Sequence, residues 1–389
     1  MYYPLTEEQK MIRDLAQKFA QERVRPVAAE LDEKEEFPRA LMQELAAMDM
    51  FRVFIPEAYG GLGTEPVFAL CLVTEEISKV CSGVAVSYAA TALGSFPIIL
   101  FGSDEQKKKY LTQVADGAKL AAFALTEPEA GSDAGGIATT AREEADCYVL
   151  NGTKQWITNG GEADIYTVVA LTDKSKGPRG ASTFIVERGT DGFEFGKKEI
   201  KLGIRCSSTR ELIFRDCRVP KENLLGRKGL GFVVAMKTFD ASRPGIGAQA
   251  VGIAQGAIDL ALDYARERIQ FGKPIVSNQA IQHKLAEMQM RTEAARALVY
   301  AAAHYVDSGA KDVAKISAMA KAFSSDVAMY VTTEAIQIFG GYGYMRDYPI
   351  EKYFRDAKIT QIYEGTNEIQ RNVIALEMIR EAAANKRDA

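Results

Sequence analysis

Residues that could do chemistry are concentrated in four short segments of loop-like composition. The segments are FALTEPEAGSD (123–133), WITNG (156–160), RIQFG (268–272) and QIYEGTNEIQR (361–371). Each combines hydrogen-bonding or charged side chains with an aromatic ring or a glycine turn, a composition typical of loops that bind ligands. Side chains of these types could act as acids or bases or bind a cofactor.

Each segment also has an ordinary structural interpretation when it is taken alone. Ser132 or Asp133 could cap the element that follows the first segment. Arg268 could serve only the dipole at a helix C-terminus. Residues 363–366 could form a turn ahead of a helix, and the glycines within 340–343 could end a helix. A single segment therefore does not identify a function.

Hydrolase, zinc and disulfide chemistry are disfavoured by the residues available. His283 and His304 both lie in Ala-rich helical stretches, and no G-x-S-x-G motif accompanies them, so a Ser-His-Asp triad is not expected. The five cysteines are odd in number and widely spaced without a C-x-x-C pair, which predicts neither a disulfide framework nor a zinc site. We expect no bound metal.

Composition and charge are those of an ordinary globular protein. Of the 389 residues, 47% are hydrophobic and 26% are charged, and the net charge at pH 7 is -4. This balance leaves no surplus of positive charge for nucleic acid or an anionic membrane. The N-terminal residues have no signal-like pattern, and no run of about 18 apolar residues is apparent. We therefore expect no nucleic-acid partner, no membrane insertion and a cytoplasmic location.

The hydrophobic periodicity changes twice and divides the chain into three blocks. Residues 1–118 and 232–389 have helical periodicity, whereas residues 119–231 contain short β-type runs. The predicted strands include 148–150, 165–171, 182–186 and 211–214, and the predicted helices of the last block include 253–268, 280–305, 313–339 and 367–382. Turns are expected at 151–152 and 159–161. Because this order is not a βαβ alternation and no G-x-G-x-x-G follows a strand, a Rossmann domain is not predicted.

Together the segments resemble the acyl-CoA dehydrogenase family over essentially the whole chain. FALTEPEAGSD at 123–133 is similar to one family signature, and QIFGGYGYMRDYPIEKYFRDAK at 337–358, which runs into QIYEGTNEIQR at 361–371, is similar to the other. The resemblance implies a mainly α fold with a β insert: an N-terminal helical domain, a middle β-barrel or sandwich, and a C-terminal four-helix bundle. It also implies FAD as cofactor, an acyl-CoA substrate, electron-transferring flavoprotein as partner, and a homotetramer.

The resemblance further implies roles for individual residues. It places along the flavin ring Phe123, Leu125, Thr126, Trp156 and Thr158. Other cofactor contacts, some of them supplied by a neighbouring subunit, are assigned to Ser132, Arg268, Gln270, Phe271, Gln337, Gly340, Gly341, Thr366 and Glu368. Contacts with coenzyme A or the acyl group are assigned to Ser132, Asp240, Arg243, Tyr363 and Gly365.

The reaction implied is the removal of an α-proton and a β-hydride from a fatty-acyl thioester, giving a trans-2-enoyl product. Such a proton is weakly acidic, so a base and donors to the enolate oxygen are both needed. The resemblance makes Glu364 the base, its N–H and a ribityl hydroxyl of FAD the donors, and flavin N5 the hydride acceptor. We expect burial to raise the pKa of the Glu364 carboxyl. Some family branches carry the base at the position of Ser242, which is not a carboxylate here.

The segment 81–100 resembles the wall of the acyl pocket in this family, so its residues indicate which acyl groups the enzyme could accept. It contains no Arg, Lys, Asp or Glu, so a dicarboxylate substrate is not expected. Tyr88 and Phe96 could shorten the cavity in favour of short or compact, including alicyclic, acyl groups, or they could face away from it.

Two other functions fit parts of the pattern. An acyl-CoA oxidase or related flavin oxidase of the same fold would pass electrons to oxygen, although peroxisome-type oxidases resemble the family with a long extra C-terminal domain. A non-catalytic flavin-binding scaffold would be expected to lack the carboxylate, whereas Glu364 is present. The sequence therefore favours a dehydrogenase.

Overall fold

The chain folds as two helical blocks joined by a mixed β-sheet. The computed structural model describes residues 3–63 and 65–385. The outer limits predicted for the first and last domains, residues 1 and 389, lie outside the described residues. The predicted α, β, α order of the fold is confirmed.

The N-terminal block consists of helices whose starts are set by local chemistry. They are α1 (Glu7–Phe19), α2 (Ala28–Lys34), α3 (Arg39–Ala47), α4 (Pro66–Ser78), α5 (Ser82–Phe101) and α6 (Asp104–Ala115). Capping boxes begin α1 and α6, where the hydroxyls of Thr6 and Ser103 each accept from the N–H three residues on. Helices α4 and α5 are buried along most of their length, so they form the core of this block.

The middle block is one mixed sheet, followed later in the chain by a short ribbon. Its strands are β1 (Ala121–Ala124), β2 (Thr140–Glu143), β3 (Cys147–Thr158), β4 (Ile165–Leu171), β5 (Ala181–Glu187), β6 (Phe193–Lys198), β7 (Thr209–Pro220) and β8 (Leu224–Leu225), and the ribbon is β9 (Ile269–Gln270) with β10 (Lys273–Pro274). The strand order is β6-β7-β3-β2-β4-β5-β8, and β1 pairs in parallel with β4. Strand β4 is buried throughout, and the Thr167 hydroxyl donates to the carbonyl of Gly94 in α5 at 3.2 Å. The sheet is thus fastened to the first helical block.

The turn predicted at Asn151–Gly152 is wrong, because both residues lie inside the long strand β3. The pairing of β3 with β7 shifts between Leu150 and Gly152, which marks a β-bulge. Gly152 has a φ of 147°, and a Cβ there would lie 2.5 Å from the Thr139 hydroxyl oxygen. Bulges and hairpin turns favour the same residue types, so the sequence did not separate them. The turn predicted at 159–161 is present.

The C-terminal block is built around one long central helix. Its helices are α7 (Gly231–Glu267), α8 (Gln279–Asp307), α9 (Ala314–Phe339), α10 (Ile350–Thr360) and α11 (Asn367–Asn385). Helix α7 begins more than 20 residues before the predicted 253–268 segment and continues through Pro244. It contacts α4 and α5 of the first block as well as α8, α9 and α10. Residues at its middle can therefore meet both the first block and the α10–α11 connection.

Two described helices, α5 and α7, are long and apolar enough to cross a membrane by length and composition alone. The prediction that no such run is present was wrong in this respect. Of the most apolar window in each helix, 72% and 78% respectively is buried inside the protein. Packing in the core accounts for their composition.

Candidate active site

A cleft opens where the N-terminal helices, the sheet and α7 meet. It encloses about 110 Å³ and is lined by Leu70, Val86, Ala89, Ala90, Leu93, Phe96, Phe123, Leu125, Thr126, Trp156, Ile157, Thr158, Phe239, Ser242, Gly245, Ile246, Tyr363 and Glu364. Most of these side chains are apolar, and the polar ones include Thr126, Thr158, Ser242, Tyr363 and Glu364. A cavity of this kind suits a largely apolar ligand that also presents a polar, reactive portion.

The carboxyl of Glu364 reaches this cleft from the connection between α10 and α11. The Ser242 hydroxyl, on α7, donates to Oε2 of Glu364 at 2.6 Å. Burial raises the pKa of the Glu364 carboxyl to about 7, against the opposing effects of the Ser242 hydrogen bond and the charges of Arg243 and Lys321. This carboxyl can therefore exchange a proton near neutral pH.

The backbone of Glu364 is held in an unusual conformation. Glu364 has a φ of 51° and Gly365 a φ of 93°, so two consecutive residues are left-handed. The Glu364 carbonyl accepts from Nε of Arg243 at 3.3 Å and from Nε2 of Gln370 at 3.0 Å. The Lys321 ammonium donates to the Gly365 carbonyl at 2.8 Å. Among the described residues, no group accepts from the N–H of Glu364.

The opposite wall of the cleft comes from the ends of β1 and β3. Phe123 and Phe239, the latter from α7, meet edge to face with ring centroids 5.5 Å apart. Trp156 has a φ of 57° at a second register shift of β3 and is 58% exposed. A bulge redirects a side chain out of the strand's alternation, so this tryptophan lies on the outer part of the wall and not in the core. The predicted flavin-facing residues are thus brought together: Phe123, Leu125, Thr126, Trp156 and Thr158.

A buried ion pair supports this wall from behind. The Lys154 ammonium donates to the Leu125 carbonyl at 2.9 Å and to Oε1 of Glu127 at 2.7 Å. Glu127 in turn accepts from the N–H groups of Ala138 and Thr139. Burial lowers the pKa of Lys154 to about 8, while the Glu127 charge opposes that effect. The pair fixes the main chain on either side of Thr126.

Helix α5 presents Phe96 to the cleft and turns Tyr88 away from it. Phe96 lines the cavity. The Tyr88 hydroxyl donates to the Met50 carbonyl at 2.8 Å, and its ring packs against Phe51 and Phe54. Of the two aromatic residues considered for shortening the cavity, only Phe96 is in position to do so.

A second pocket, of about 540 Å³, lies at the far end of α7. Its lining includes four residues predicted to contact the cofactor: Arg268, Gln270, Gly340 and Gly341. The guanidinium of Arg268 lies 5.2 Å from the ring centroid of Tyr342, and Gly340 has a φ of 63°. Phe271, next to this pocket, is 94% exposed. Gln337 is also exposed, and its backbone carbonyl accepts a hydrogen bond from the N–H of Gly340.

The remaining predicted residues lie outside both cavities. Ser132 is exposed on a turn, and Glu368 is exposed in the first turn of α11. Asp240 is buried and lies 3.6 Å from Arg243. The Thr366 hydroxyl accepts from the N–H of Ile369 and begins α11.

Sequence reasoning missed several residues around the base. Lys321 and Gln370 are fully buried. Phe239 and Gly245 line the cleft itself. The sequence offered one signal, a lone lysine within the apolar run AMAKAF at 318–323, because a buried lysine needs partners. Among the described residues, no group of three or more His, Cys, Asp or Glu side chains could hold a metal ion.

Comparison with known families matches three consecutive models along this chain. They are the acyl-CoA dehydrogenase N-terminal domain over residues 6–118, the middle domain over 122–217 and the C-terminal domain over 229–379.

Whole-chain relatives agree with these matches. An acyl-CoA dehydrogenase of Bacillus subtilis is 49% identical over 95% of this chain and 98% of its own length. A short-chain-specific acyl-CoA dehydrogenase of Megasphaera elsdenii is 48% identical over 98% of this chain and 100% of its own.

Three solved structures superpose closely. Butyryl-CoA dehydrogenase from Megasphaera elsdenii has a TM-score of 0.95 and 48% identity, covering 97% of this chain and 100% of that one. A chain in a structure described as the electron transferring flavoprotein of Acidaminococcus fermentans has a TM-score of 0.94 and 50% identity, covering 98% and 100%. An acyl-CoA dehydrogenase complexed with FAD from Bacillus anthracis has a TM-score of 0.92 and 39% identity, covering 98% and 68%. The chain belongs to the acyl-CoA dehydrogenase family, whose members are FAD-dependent oxidoreductases that act on CH–CH groups.

Proposed function

We propose that this protein oxidises a short or compact acyl-CoA thioester to the trans-2-enoyl-CoA, with Glu364 as the base that removes the α-proton. The observation that carries the proposal is the position of the Glu364 carboxyl. It is half-buried in a largely apolar cleft, hydrogen-bonded to Ser242, and has a pKa raised to about 7. A base with a pKa near the working pH is well matched to proton abstraction.

The residues of the cleft fit a flavin. Thr126 and Thr158 offer polar groups beside the apolar surfaces of Phe123 and Leu125, and Trp156 supplies a broad aromatic face at the mouth. An aromatic ring with a hydrogen-bonding edge needs this combination of apolar faces and a few placed polar groups. When bound there, FAD supplies the acceptor for the β-hydride.

The two oxygens of the Glu364 carboxylate have different surroundings. Oε2 accepts from Ser242, which leaves Oε1 as the oxygen able to take the α-proton. The N–H of Glu364 has no acceptor in the described part of the chain, so it is a donor available to the thioester carbonyl, where negative charge develops as the proton leaves. Arg243 and Gln370 donate to the carbonyl of Glu364 itself, and these hydrogen bonds restrict the backbone that carries the N–H.

The apolar end of the cleft favours a small acyl group. Phe96 and Leu93 of α5 close the wall beside Leu70, and the described lining there includes no charged side chain. A second carboxylate on the acyl chain would be left without a partner. Similarity to the short-chain-specific and butyryl-CoA enzymes of Megasphaera elsdenii supports the same size range.

Family membership supports three further proposals, on the electron acceptor, the assembly and the location. We propose electron-transferring flavoprotein as the acceptor, supported by the similarity to the Acidaminococcus fermentans structure. We propose a homotetramer in which the Arg268 pocket of one subunit completes the cofactor site of another. Ser132, Asp240 and Arg243 are proposed to contact coenzyme A, and the enzyme is proposed to work in the cytoplasm.

One spectroscopic experiment tests the reaction. The purified, yellow protein is mixed anaerobically with butyryl-CoA, and the visible absorption band of the flavin is followed. We expect bleaching with butyryl-CoA and little with a long-chain or glutaryl thioester. Absence of bleaching with every thioester would refute the proposal, and rapid peroxide formation in air without an added acceptor would indicate an oxidase instead.

A further inference from the structure

The base lies on a segment of backbone that needs external support. Glu364 and Gly365 are both left-handed, and residues other than glycine rarely adopt this conformation. Their carbonyls are turned into the protein, where each must find a donor. Any group that holds these carbonyls also sets the direction of the Glu364 side chain and N–H.

Gln370 supplies one such donor from the first turns of α11. Its Nε2 lies 3.0 Å from the Glu364 carbonyl oxygen and 2.9 Å from that of Gly365. The side chain is fully buried and bridges two successive peptide groups. A Cβ at position 365 would lie 2.6 Å from this same nitrogen, so Gln370 is packed directly against the left-handed turn.

Lys321 supplies another donor from α9. Its ammonium lies 2.8 Å from the Gly365 carbonyl oxygen and 2.9 Å from Oδ1 of Asn367, the first residue of α11. Lys321 is fully buried and is not part of the cleft lining. A buried ammonium is costly unless it is paired, so its two acceptors define where it must sit.

We propose that Lys321 and Gln370 are positioning residues that hold the 364–365 turn and thereby aim Glu364 at its substrate. The proposal rests on the role of Glu364 proposed above. Neither side chain touches the cleft, so both act through the backbone of the base. The charged groups that face the Glu364 carboxyl are Arg243 of α7, itself near Asp240, and Lys321 of α9.

The test compares Lys321→Met and Gln370→Leu with the wild-type holoenzyme. We measure flavin content, the saturating rate of flavin reduction by butyryl-CoA, and the concentration for half-saturation. Displacement of a reacting group by about 1 Å costs roughly 100-fold in rate, so we expect a loss of about that size per bound flavin in each variant. Half-saturation should change little because the cleft lining is intact. Lys315→Met, in the first turn of the same helix, is the matched control.

A pH series separates the two residues further. Burial lowers the pKa of Lys321 to about 7, so its ammonium is charged on the acidic side of that pH, where it lowers the pKa of Glu364. Lys321→Met should therefore move the midpoint of the reduction rate to higher pH. Gln370→Leu removes no charge and should leave the midpoint in place while lowering the plateau.

The outcomes are distinguishable. Near-wild-type reduction rates per bound flavin in both variants would overturn the inference, as would losses that merely follow flavin content. If Lys321→Met fails to fold, Gln370→Leu still decides the matter. A wild-type enzyme that shows no bleaching would refute the proposed function itself, whatever the variants do.

Discussion

The two cavities of this chain differ in how much of a site each contains. The cleft at Glu364 is walled by both helical blocks and the sheet, and its base, hydroxyl partner and backbone donors all belong to one chain. The Arg268 pocket is open, and Phe271 beside it is almost fully exposed. The first cavity is thus enclosed by its own chain, whereas the second is open to the surroundings.

The distance between the cavities explains this difference. Ser242 and Arg268 lie on, and just after, the same helix, and about 26 residues at about 1.5 Å each separate them by roughly 39 Å. A single flavin dinucleotide does not extend so far. The same molecule therefore cannot occupy both cavities of one chain, which supports our proposal that the Arg268 pocket serves a neighbouring subunit.

The largest effect is expected from a substitution in the first cavity, at Glu364. Glu364→Gln keeps the size of the side chain but removes the base, and a positioned base contributes about 10²- to 10⁴-fold. We expect flavin reduction by butyryl-CoA to fall by at least about 100-fold while the yellow band remains. The surface variant Glu381→Gln is the control. Near-normal turnover by Glu364→Gln would end the assignment of the base.

The next largest effect is expected from a substitution in the second cavity, at Arg268. Arg268→Ala should weaken FAD binding by about 10- to 100-fold, since hydrogen bonds to charged groups contribute about 1.5–3 kcal/mol. Titration of the apoprotein with FAD measures the affinity. At saturating FAD the reduction rate per bound flavin should approach that of wild type, in contrast to Glu364→Gln. Arg266→Ala, which removes an exposed arginine two residues away, serves as control, and equal losses in both variants would contradict the prediction.

The pH dependence sharpens the description of the first cavity. The pKa of Glu364 is raised to about 7, and the base must be ionised, so the reduction rate should rise through pH 7 and be about tenfold below its plateau at pH 6. Ser242→Ala removes a hydrogen bond to the ionised form and should move the midpoint upward. At pH 6.5 we expect a further loss of about 2- to 10-fold. A midpoint unchanged by this substitution would show that Ser242 does not stabilise the carboxylate.

The smallest expected effect concerns the apolar end of the cleft. Phe96→Leu replaces a ring that lines the cavity with a smaller side chain. Each methylene of the acyl chain that fits an apolar pocket changes the free energy of the transition state by about 1 kcal/mol or more. The ratio of kcat/KM for hexanoyl-CoA to that for butyryl-CoA should rise by about fivefold. Tyr88→Phe should leave this ratio unchanged, because its hydroxyl bonds Met50 outside the cleft. A change of the ratio in Tyr88→Phe alone would reverse our account of α5.

Contiguous motifs made much of the site predictable from sequence. The walls at 123–126 and 156–158 and the base at 364 each lie in a short segment of distinctive composition, and the structure brings them to one cleft. The three-block order followed from a change of periodicity, which depends only on local residue spacing.

Side-chain direction and long-range packing were not predictable in this way. Tyr88 and Phe96 are eight residues apart on α5, about 80° around a helix, so small differences in rotation decide which one meets the cleft. The exposure of Trp156 depends on a β-bulge, and the residue types of a bulge do not distinguish it from a turn or a regular strand. Lys321 reaches Gly365 only because α9 packs beside the α10–α11 connection.

The unbroken course of α7 also constrains how this protein can change. Helix α7 carries Ser242 at the cleft and ends next to Arg268, so its length fixes the spacing between the two cavities. Neighbouring side chains can repack around a substitution in this helix. Inserting one helical turn within 246–267, in contrast, would move one cavity relative to the other by about 5.4 Å. We therefore expect this stretch to tolerate exchange of residues and to reject insertions or deletions. A four-residue insertion after Leu260 that still gave a flavin-loaded enzyme would show that the protein tolerates a change in the spacing between the two cavities.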